Sequence, residues 1–217
     1  MKPNKEYNGR SRIRMFNMCC ESYMNACRDN LYQLAIVDPP YQNNDAIGLK
    51  NSNGHQAKRT DYKVFDNIKP NEDYFSELKR VSKNQIVWGG NFFGLSGGVI
   101  AWQKNGTAFG EGEVAICSTH NSVRFVEYTW NGMIQHNMKD KEHRIHPTQK
   151  PVQLYKWLLT NYAKEGDTII DTHGGSMSIA IACWDLGFDL DICELDTDYF
   201  NDAVKRFENH ISQTQLF

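Results

Sequence analysis

The chain has 217 residues, with 24 basic and 26 acidic side chains and a formal net charge of −2. This length allows one sizeable core and is too short for two ordinary domains with a linker, so we expect a single domain over residues 1–217. The near-neutral charge excludes a uniformly basic nucleic-acid coat. Local basic patches remain compatible with a nucleic-acid partner.

The sequence lacks both a long apolar run and an apolar N-terminal segment. We therefore expect a cytoplasmic protein without a membrane span. Its six cysteines include no Cys-x-x-Cys pair and are predicted to be buried thiols. His136, His143 and His146 lie close together but have no acidic or cysteine partners at ligand spacing, so no metal is predicted.

The predicted elements alternate in the second half of the chain. Residues 1–14 carry five basic side chains and one acidic one, and are interpreted as a basic arm or a solvated tail. Residues 42–70 predict a long mobile loop or lid. Short apolar runs predict strands at 34–37, 85–90, 99–102, 113–118, 123–129, 168–171 and 188–193. Helices are predicted to begin at Pro70-Asn71 and at Pro151, to cover 177–186, and to run from Tyr199 to Ile211. The alternation indicates an α/β fold with a parallel sheet.

The segment Asp38-Pro39-Pro40-Tyr41 follows a predicted strand, where open α/β sheets bind ligands. Its chemistry suits methylation of an exocyclic amino group, whose lone pair is delocalised into the base ring. Asp38 and the Pro39 carbonyl are two acceptors that localise this lone pair, while Tyr41 stacks on a base drawn out of the duplex. The tetrapeptide alone is equally compatible with an ordinary turn, a capping Asp and a packed Tyr.

A second motif begins at Asp171 and continues as Thr-His-Gly-Gly-Ser-Met-Ser between a predicted strand and a helix. Its glycines let backbone N–H groups approach a ligand, and the helix N-terminus favours a carboxylate. Glu194 ends the next strand, where an acidic side chain suits a ribose diol. S-adenosylmethionine has both groups. Ordinary βαβ packing explains the glycines but not Glu194.

With these motifs, residues 16–208 resemble the DNA amino-methyltransferases that modify adenine N6 or cytosine N4. The order of the motifs is similar to the permuted, beta-type group, and most similar to its small phage and prophage members. The resemblance is also carried by Ile86–Phe92, Trp102-Gln-Lys104, Glu113 and His146-Pro-Thr-Gln-Lys-Pro151. It implies a Rossmann-like, mostly parallel seven-stranded sheet with helices on both faces.

The resemblance also implies roles for individual residues. The expected contacts of S-adenosylmethionine are Asp38, Gln149, Lys150, Asp171, His173, Gly175, Ser176 and Glu194. Asp38 would lie between cofactor and base, and Asp before Pro-Pro-Tyr favours adenine. Two positions depart from the family pattern. Met177 replaces a glycine of the cofactor loop, and Cys19 replaces an aspartate thought to bind the cofactor's adenine; both changes are expected to weaken cofactor binding.

The remaining segments offer little room for a DNA-reading module. Candidate phosphate contacts are Lys50, Lys58, Arg59, Lys63, Lys69, Lys139, Lys141 and Arg144, although a charge of this kind is more often a solvated surface residue. We therefore expect relaxed or short-site sequence specificity. Binding to DNA would depend on local basic patches, on the second subunit of a homodimer or on a docking partner. The end of the chain, 212–217, resembles the Gln-x-x-Leu-Phe peptides that dock on the bacterial sliding clamp through Gln213, Leu216 and Phe217; folding back on the last helix is the alternative.

Taken together, the motifs predict an S-adenosylmethionine-dependent DNA adenine N6-methyltransferase that uses no metal. Two alternatives remain open. One is the cytosine N4 enzyme. The other is a non-catalytic DNA-binding or partner subunit that kept the fold, which only Cys19 and Met177 favour.

Overall fold

The computed structural model describes residues 1–41, 69–105, 111–130, 134–139 and 141–214. The strands in these ranges are β1 (Lys5–Asn8), β2 (Arg12–Asn17), β3 (Tyr32–Val37), β4 (Ser82–Trp88), β5 (Gly98–Gln103), β6 (Gly112–Cys117), β7 (Val123–Glu127), β8 (Thr168–Asp171) and β9 (Asp189–Glu194). The α-helices are α1 (Cys20–Asn25), α2 (Glu72–Val81), α3 (Val152–Tyr162), α4 (Ser178–Leu186) and α5 (Thr197–Thr214). A short 3₁₀ helix, Gly90–Phe93, follows β4.

All the strands join one sheet in the order β1-β2-β9-β8-β3-β4-β6-β5-β7. Five of the eight neighbouring pairs are parallel, which confirms the mostly parallel α/β sheet. The expected strand count of seven is wrong for the described residues, which form nine. The apolar runs predicted the other seven strands, and the two additional ones are β1 and β2.

The interpretation of residues 1–14 as a basic arm is also wrong. These residues form β1 and the start of β2, which pair antiparallel, and β2 pairs parallel with β9. The cause is a period-two pattern within the basic segment: Ile13 and Met15 are fully buried, while Arg12 is exposed and Arg14 is half-buried. Alternation of this kind indicates a half-buried strand, and the high proportion of basic residues obscured it.

Helices cover both faces of the sheet, as expected. Leu34 and Ile36 of β3 belong to the larger core, together with residues of α3, α4 and α5. Ala35 and Val37 point to the opposite face and pack with residues of α1 and α2. Because successive side chains of a strand point to opposite faces, a continuous apolar run is what a strand buried on both faces requires.

The helix boundaries follow local signals. Asn71 caps α2, since its side chain accepts the backbone N–H of Tyr74 at 3.0 Å, and this confirms the predicted start. Gly187 ends α4 with φ +81. The last helix is longer than predicted, because α5 continues beyond Ile211 to Thr214 and includes Gln213. Leu216 and Phe217 lie outside the described residues.

All six cysteines are free thiols, of which Cys117, Cys183 and Cys193 are buried and the other three are half-buried. Among the described residues, no helix is both long and apolar enough to cross a membrane.

Candidate active site

Several strand ends meet at one edge of the sheet. The strands β2, β9, β8, β3 and β4 run parallel, so the residues at their carboxyl ends lie side by side. Because β6 is antiparallel to both β4 and β5, its first residues and the end of β5 reach the same edge. The chain order of the strands reverses between β8 and β3, the place where open α/β sheets bind ligands. Asp38 and Asp171 both lie there.

Asp38 belongs to a row of alternating charges at this edge. The Lys150 ammonium donates to Oδ2 of Asp38 and lies 3.0 Å from Oε2 of Glu113. Lys104 donates to Oε1 of Glu113. Oδ1 of Asp38 is buried and has no hydrogen-bond partner in the part of the chain that the structure describes. An unpaired buried acceptor costs about 1–3 kcal/mol. A donor group on a bound ligand would remove this cost.

The same contacts set the protonation of the row. Burial raises the pKa of Asp38, and the Glu113 charge adds to this rise against the opposing effect of Lys150. Burial also acts to raise the pKa of Glu113, but the charges of Lys150 and Lys104 outweigh it and lower this pKa to about 2. The two carboxylates raise the pKa of Lys150 well above its usual value despite its burial. Glu113 and Lys150 are therefore both ionised at neutral pH.

Tyr41, close to Asp38, forms an aromatic pair with Phe92. The sequence motif predicted a role for Tyr41 but not for Phe92. The Tyr41 ring is stacked on that of Phe92, with centroids 5.1 Å apart and planes inclined by 8°. Phe92 is 49% exposed, so the pair borders solvent. Gly89 makes room for it, because a Cβ at that position, where φ is +64, would lie 2.3 Å from the Tyr41 ring. The Gly-Gly-Asn-Phe stretch after β4 was the available signal for Phe92.

The predicted cofactor loop follows β8. Asp171 is buried, accepts the backbone N–H of His173 at 2.9 Å, and has its pKa raised to about 8, chiefly by burial. Burial lowers the pKa of His173 to about 4, so the imidazole is neutral. Thr172 bonds both His173 and Tyr74 of α2, which ties the loop to that helix. Ser176 is buried just before α4.

Glu194, at the end of β9, binds this loop through its side chain. Its two carboxylate oxygens accept the backbone N–H groups of Gly175 at 2.7 Å and of Asp196 at 2.8 Å. The stretch that contains Cys19 lies beside it, since Asn17 pairs with Glu194 in the sheet and donates to its carbonyl at 2.9 Å. The structure thus brings together the three segments that the resemblance assigned to the cofactor.

The segment before α3 contributes Lys150 to the charged row, whereas the side chain of Gln149 is used locally. Its oxygen accepts from the Ile145 backbone at 3.0 Å and its nitrogen donates to the His143 carbonyl at 3.2 Å. His146 packs edge-on against Tyr199 and is near Gly175. Burial and neighbouring positive charges lower its pKa to about 4. Gln149 therefore shapes the loop that delivers Lys150.

One positioning pair was missed by sequence reasoning. Arg206 of α5 donates to the Ser176 carbonyl and to Glu142, both at 2.7 Å. Glu142 in turn accepts the first backbone N–H of α3, that of Val152, at 3.0 Å. The pair joins the cofactor loop to the segment that carries Lys150. No local pattern announces it, because the two partners are far apart in the sequence.

The candidate DNA contacts are only partly placed. Lys50, Lys58, Arg59 and Lys63 lie outside the described residues. Lys139 and Lys141 are exposed. Lys69 is exposed and donates to the Phe92 carbonyl at 2.7 Å, next to the aromatic pair. Arg144 is half-buried and donates to the Pro147 carbonyl at 2.7 Å. The described residues contain no cluster of His, Cys, Asp and Glu able to hold a metal ion.

Met177 stands where the family pattern has a glycine, and the larger core accommodates its side chain. Its backbone is left-handed, with φ +52, and its side chain is fully buried in the larger core. We expect Met177→Gly to lower the free energy of unfolding by about 1–3 kcal/mol. Relief of left-handed strain, about 1–2 kcal/mol, is smaller than the loss of a buried Met side chain, about 2–5 kcal/mol.

Urea unfolding measures this change. Asn30→Gly is the matched control, because Asn30 is also left-handed, with φ +51, but is exposed. It should be neutral or slightly stabilising. A more stable Met177→Gly protein would mean that backbone strain outweighs packing.

The chain is similar to known proteins in part of its sequence and in its fold. Residues 104–205 match the N6_N4_Mtase family model, described as DNA methylase. The fold is shared with M1.HpyAVI in its complex with SAM, at 15% identity and a TM-score of 0.58 over 89% of this chain and 99% of that one. It is also shared with the PvuII DNA methyltransferase (cytosine-N4-specific), at 10% identity and a TM-score of 0.61 over 92% of this chain and 90% of that one. No curated protein matches the sequence significantly.

Proposed function

We propose that this chain, whose match to the DNA methylase family and whose fold support a DNA methyltransferase of the N6/N4 group, methylates the N6 amino group of adenine. The observation that carries the proposal is the unpaired Oδ1 of Asp38, buried at the sheet edge that also holds the aromatic pair and the loop bound by Glu194. An acceptor in this place suits an amino group presented by a base.

The residues at this edge fit S-adenosylmethionine, the ligand of M1.HpyAVI in its SAM complex. Glu194 would bind the ribose hydroxyls, and the backbone from Gly175 to the start of α4 would face the methionine carboxylate. Lys150 is also available, because an ammonium has three N–H donors and two face Asp38 and Glu113. When bound, this cofactor supplies an electrophilic methyl group on a sulfonium.

The chain's own residues prepare the nucleophile. Asp38 accepts one N–H of the amino group through Oδ1, and the Pro39 carbonyl is proposed to accept the other. Two acceptors favour a pyramidal nitrogen with a localised lone pair, which could accept the methyl group that a bound cofactor would supply. The nitrogen then releases one proton, and Asp38, with its raised pKa, is placed to take it. Tyr41, next to Phe92, would hold the base by stacking.

Adenine is preferred to cytosine because Asp precedes Pro-Pro-Tyr. Cytosine N4 is the second candidate, since its amino group presents the same two N–H donors. A partner subunit without activity is the candidate of another class. Undetectable S-adenosylmethionine binding by calorimetry at millimolar concentration would favour it.

DNA from cells that express the wild-type chain or Asp38→Ala tests the proposal. Nucleosides from the wild type should contain N6-methyladenine, whereas those from the variant should not. N4-methylcytosine instead would establish the cytosine reaction, and no modified base in either sample would contradict methyltransfer to DNA. Mapping the same DNA tests the relaxed or short-site specificity that we propose, which a long and strictly read site would exclude.

We also propose that Lys69, Lys139 and Lys141 contact DNA, and that a second subunit or a docking partner adds to the binding. The sliding clamp remains only a proposal. Clamp binding that is unchanged by Leu216→Ala with Phe217→Ala would end it.

A further inference from the structure

Glu113 lies at the centre of the charged row. In the β5–β6 pair it lies opposite Trp102. Its carboxylate contacts the ammonium groups of Lys104 and Lys150, and it lies 3.5 Å from the Tyr41 hydroxyl. Its carboxylate therefore touches both the cation that holds Asp38 and the aromatic ring expected to stack on the base.

Aromatic side chains restrict the two ammonium groups of the row. Lys150 lies 5.1 Å from the ring centroid of Trp88, and Lys104 lies 4.7 Å from that of Trp102. The two indoles are fully buried and pack edge to face, with centroids 6.1 Å apart. Each ammonium thus has an aromatic face on one side and carboxylates as partners, so it has few alternative positions.

We propose that Glu113 is a positioning residue for methyl transfer: it holds the Lys150 ammonium so that Lys150 occupies Oδ2 of Asp38 and leaves Oδ1 to the target amino group. This role rests on the proposed function. Without Glu113, the ammonium has one carboxylate instead of two and can move to bridge both oxygens of Asp38. The acceptor for the amino group would then be shared with a cation.

The charges around Asp38 make this role testable by pH. The groups that face Asp38 come from every neighbouring element: Lys150, Glu113, Lys104, Tyr41 of its own loop, Tyr155 of α3 and Asp171 of β8. Of these, Glu113 raises the pKa of Asp38, whereas Lys104 lowers it. Asp38 must be ionised to accept the amino group, so its pKa sets an acidic limb in the rate profile.

The experiment measures single-turnover methyl transfer against pH at saturating cofactor and DNA, so that product release does not hide chemistry. Glu113→Gln should lower the plateau rate about 100-fold, the loss expected from a small misplacement, and should move the acidic limb to lower pH. Lys104→Gln removes the opposite charge and should move the limb to higher pH. Glu127→Gln, an exposed carboxylate on the neighbouring edge strand β7, is the control and should leave the profile unchanged.

Opposite shifts in the two variants are a result that loss of folding cannot produce, because acid unfolding of a destabilised variant moves the limb only to higher pH. If Glu113→Gln does not fold, the Lys104→Gln limb decides, measured over the pH range in which circular dichroism shows that variant to be folded. An active wild type with unshifted limbs in the folded variants would overturn the positioning role and leave the proposed function standing. A wild type that transfers no methyl group would overturn both.

Discussion

Asp38→Asn is expected to lower the single-turnover rate of methyl transfer by about 10²- to 10⁴-fold, the range for loss of a positioned acceptor or base. The reason lies in the pairing with Lys150, which donates hydrogen bonds and accepts none. The amide must turn its oxygen to Lys150, so its NH₂ group would replace Oδ1 at the substrate side. An NH₂ group cannot accept a hydrogen bond from the target amino group.

Rapid-quench measurement of methylated DNA checks this rate, and calorimetry should give a cofactor Kd within about threefold of wild type. Asp29→Asn is the matched control: Asp29 precedes β3 at the opposite edge of the sheet and pairs with Arg80 at 2.7 Å with an exposed side chain. Its rate should match that of the wild type. An Asp38→Asn enzyme that retained most of the wild-type rate would remove Asp38 from the chemistry.

Glu194→Ala is expected to raise the Kd for S-adenosylmethionine by about 10- to 100-fold. A hydrogen bond to a charged group contributes about 1.5–3 kcal/mol, and about 1.4 kcal/mol is a factor of ten in Kd. The variant loses the carboxylate proposed for the ribose and also leaves the Gly175 backbone N–H without its acceptor. The loop would then be less well ordered for the cofactor.

Calorimetry with the cofactor alone measures this effect, and Asp189→Asn at the other end of β9 is the control. Asp189 accepts from the backbone of Arg12 at 2.8 Å and lies away from the candidate site. At saturating cofactor, the rate of Glu194→Ala should approach that of the wild type, which is the reverse of the Asp38→Asn pattern. A Kd unchanged by Glu194→Ala would exclude its proposed role.

Much of the fold could be predicted because its signals are local. The apolar run of β3, the cap at Asn71 and the glycine at the end of α4 act within a few residues of chain. The same holds for the two motifs, each of which follows the carboxyl end of a strand. By contrast, α1, a helix of only six residues, gave no periodic signal, and the strand at Arg12–Asn17 was obscured by its basic residues.

The site was predictable as a list of residues and not as an arrangement. Gln149 and Lys150 were grouped together as cofactor contacts, yet one bonds its own loop and the other bonds Asp38. Arg206 carries no mark in the sequence that distinguishes it from an ordinary helix residue, and Phe92 is marked only by the Gly-Gly-Asn-Phe stretch that contains it. Their importance comes from what they touch: the ring of Tyr41 and the loop before α4.

The sequence by itself determined the α/β alternation and the presence and order of the two motifs. These depend on backbone preferences and apolar runs, which operate over short distances. Only the tertiary structure decided that Glu113 and Lys104 share an edge with Asp38, because this requires β6 to run antiparallel to β4 and β5. Such pairing is set by long-range packing of the sheet. It brings together four charges that are separated in the chain and leaves one buried oxygen of Asp38 without a hydrogen-bond partner among the described residues.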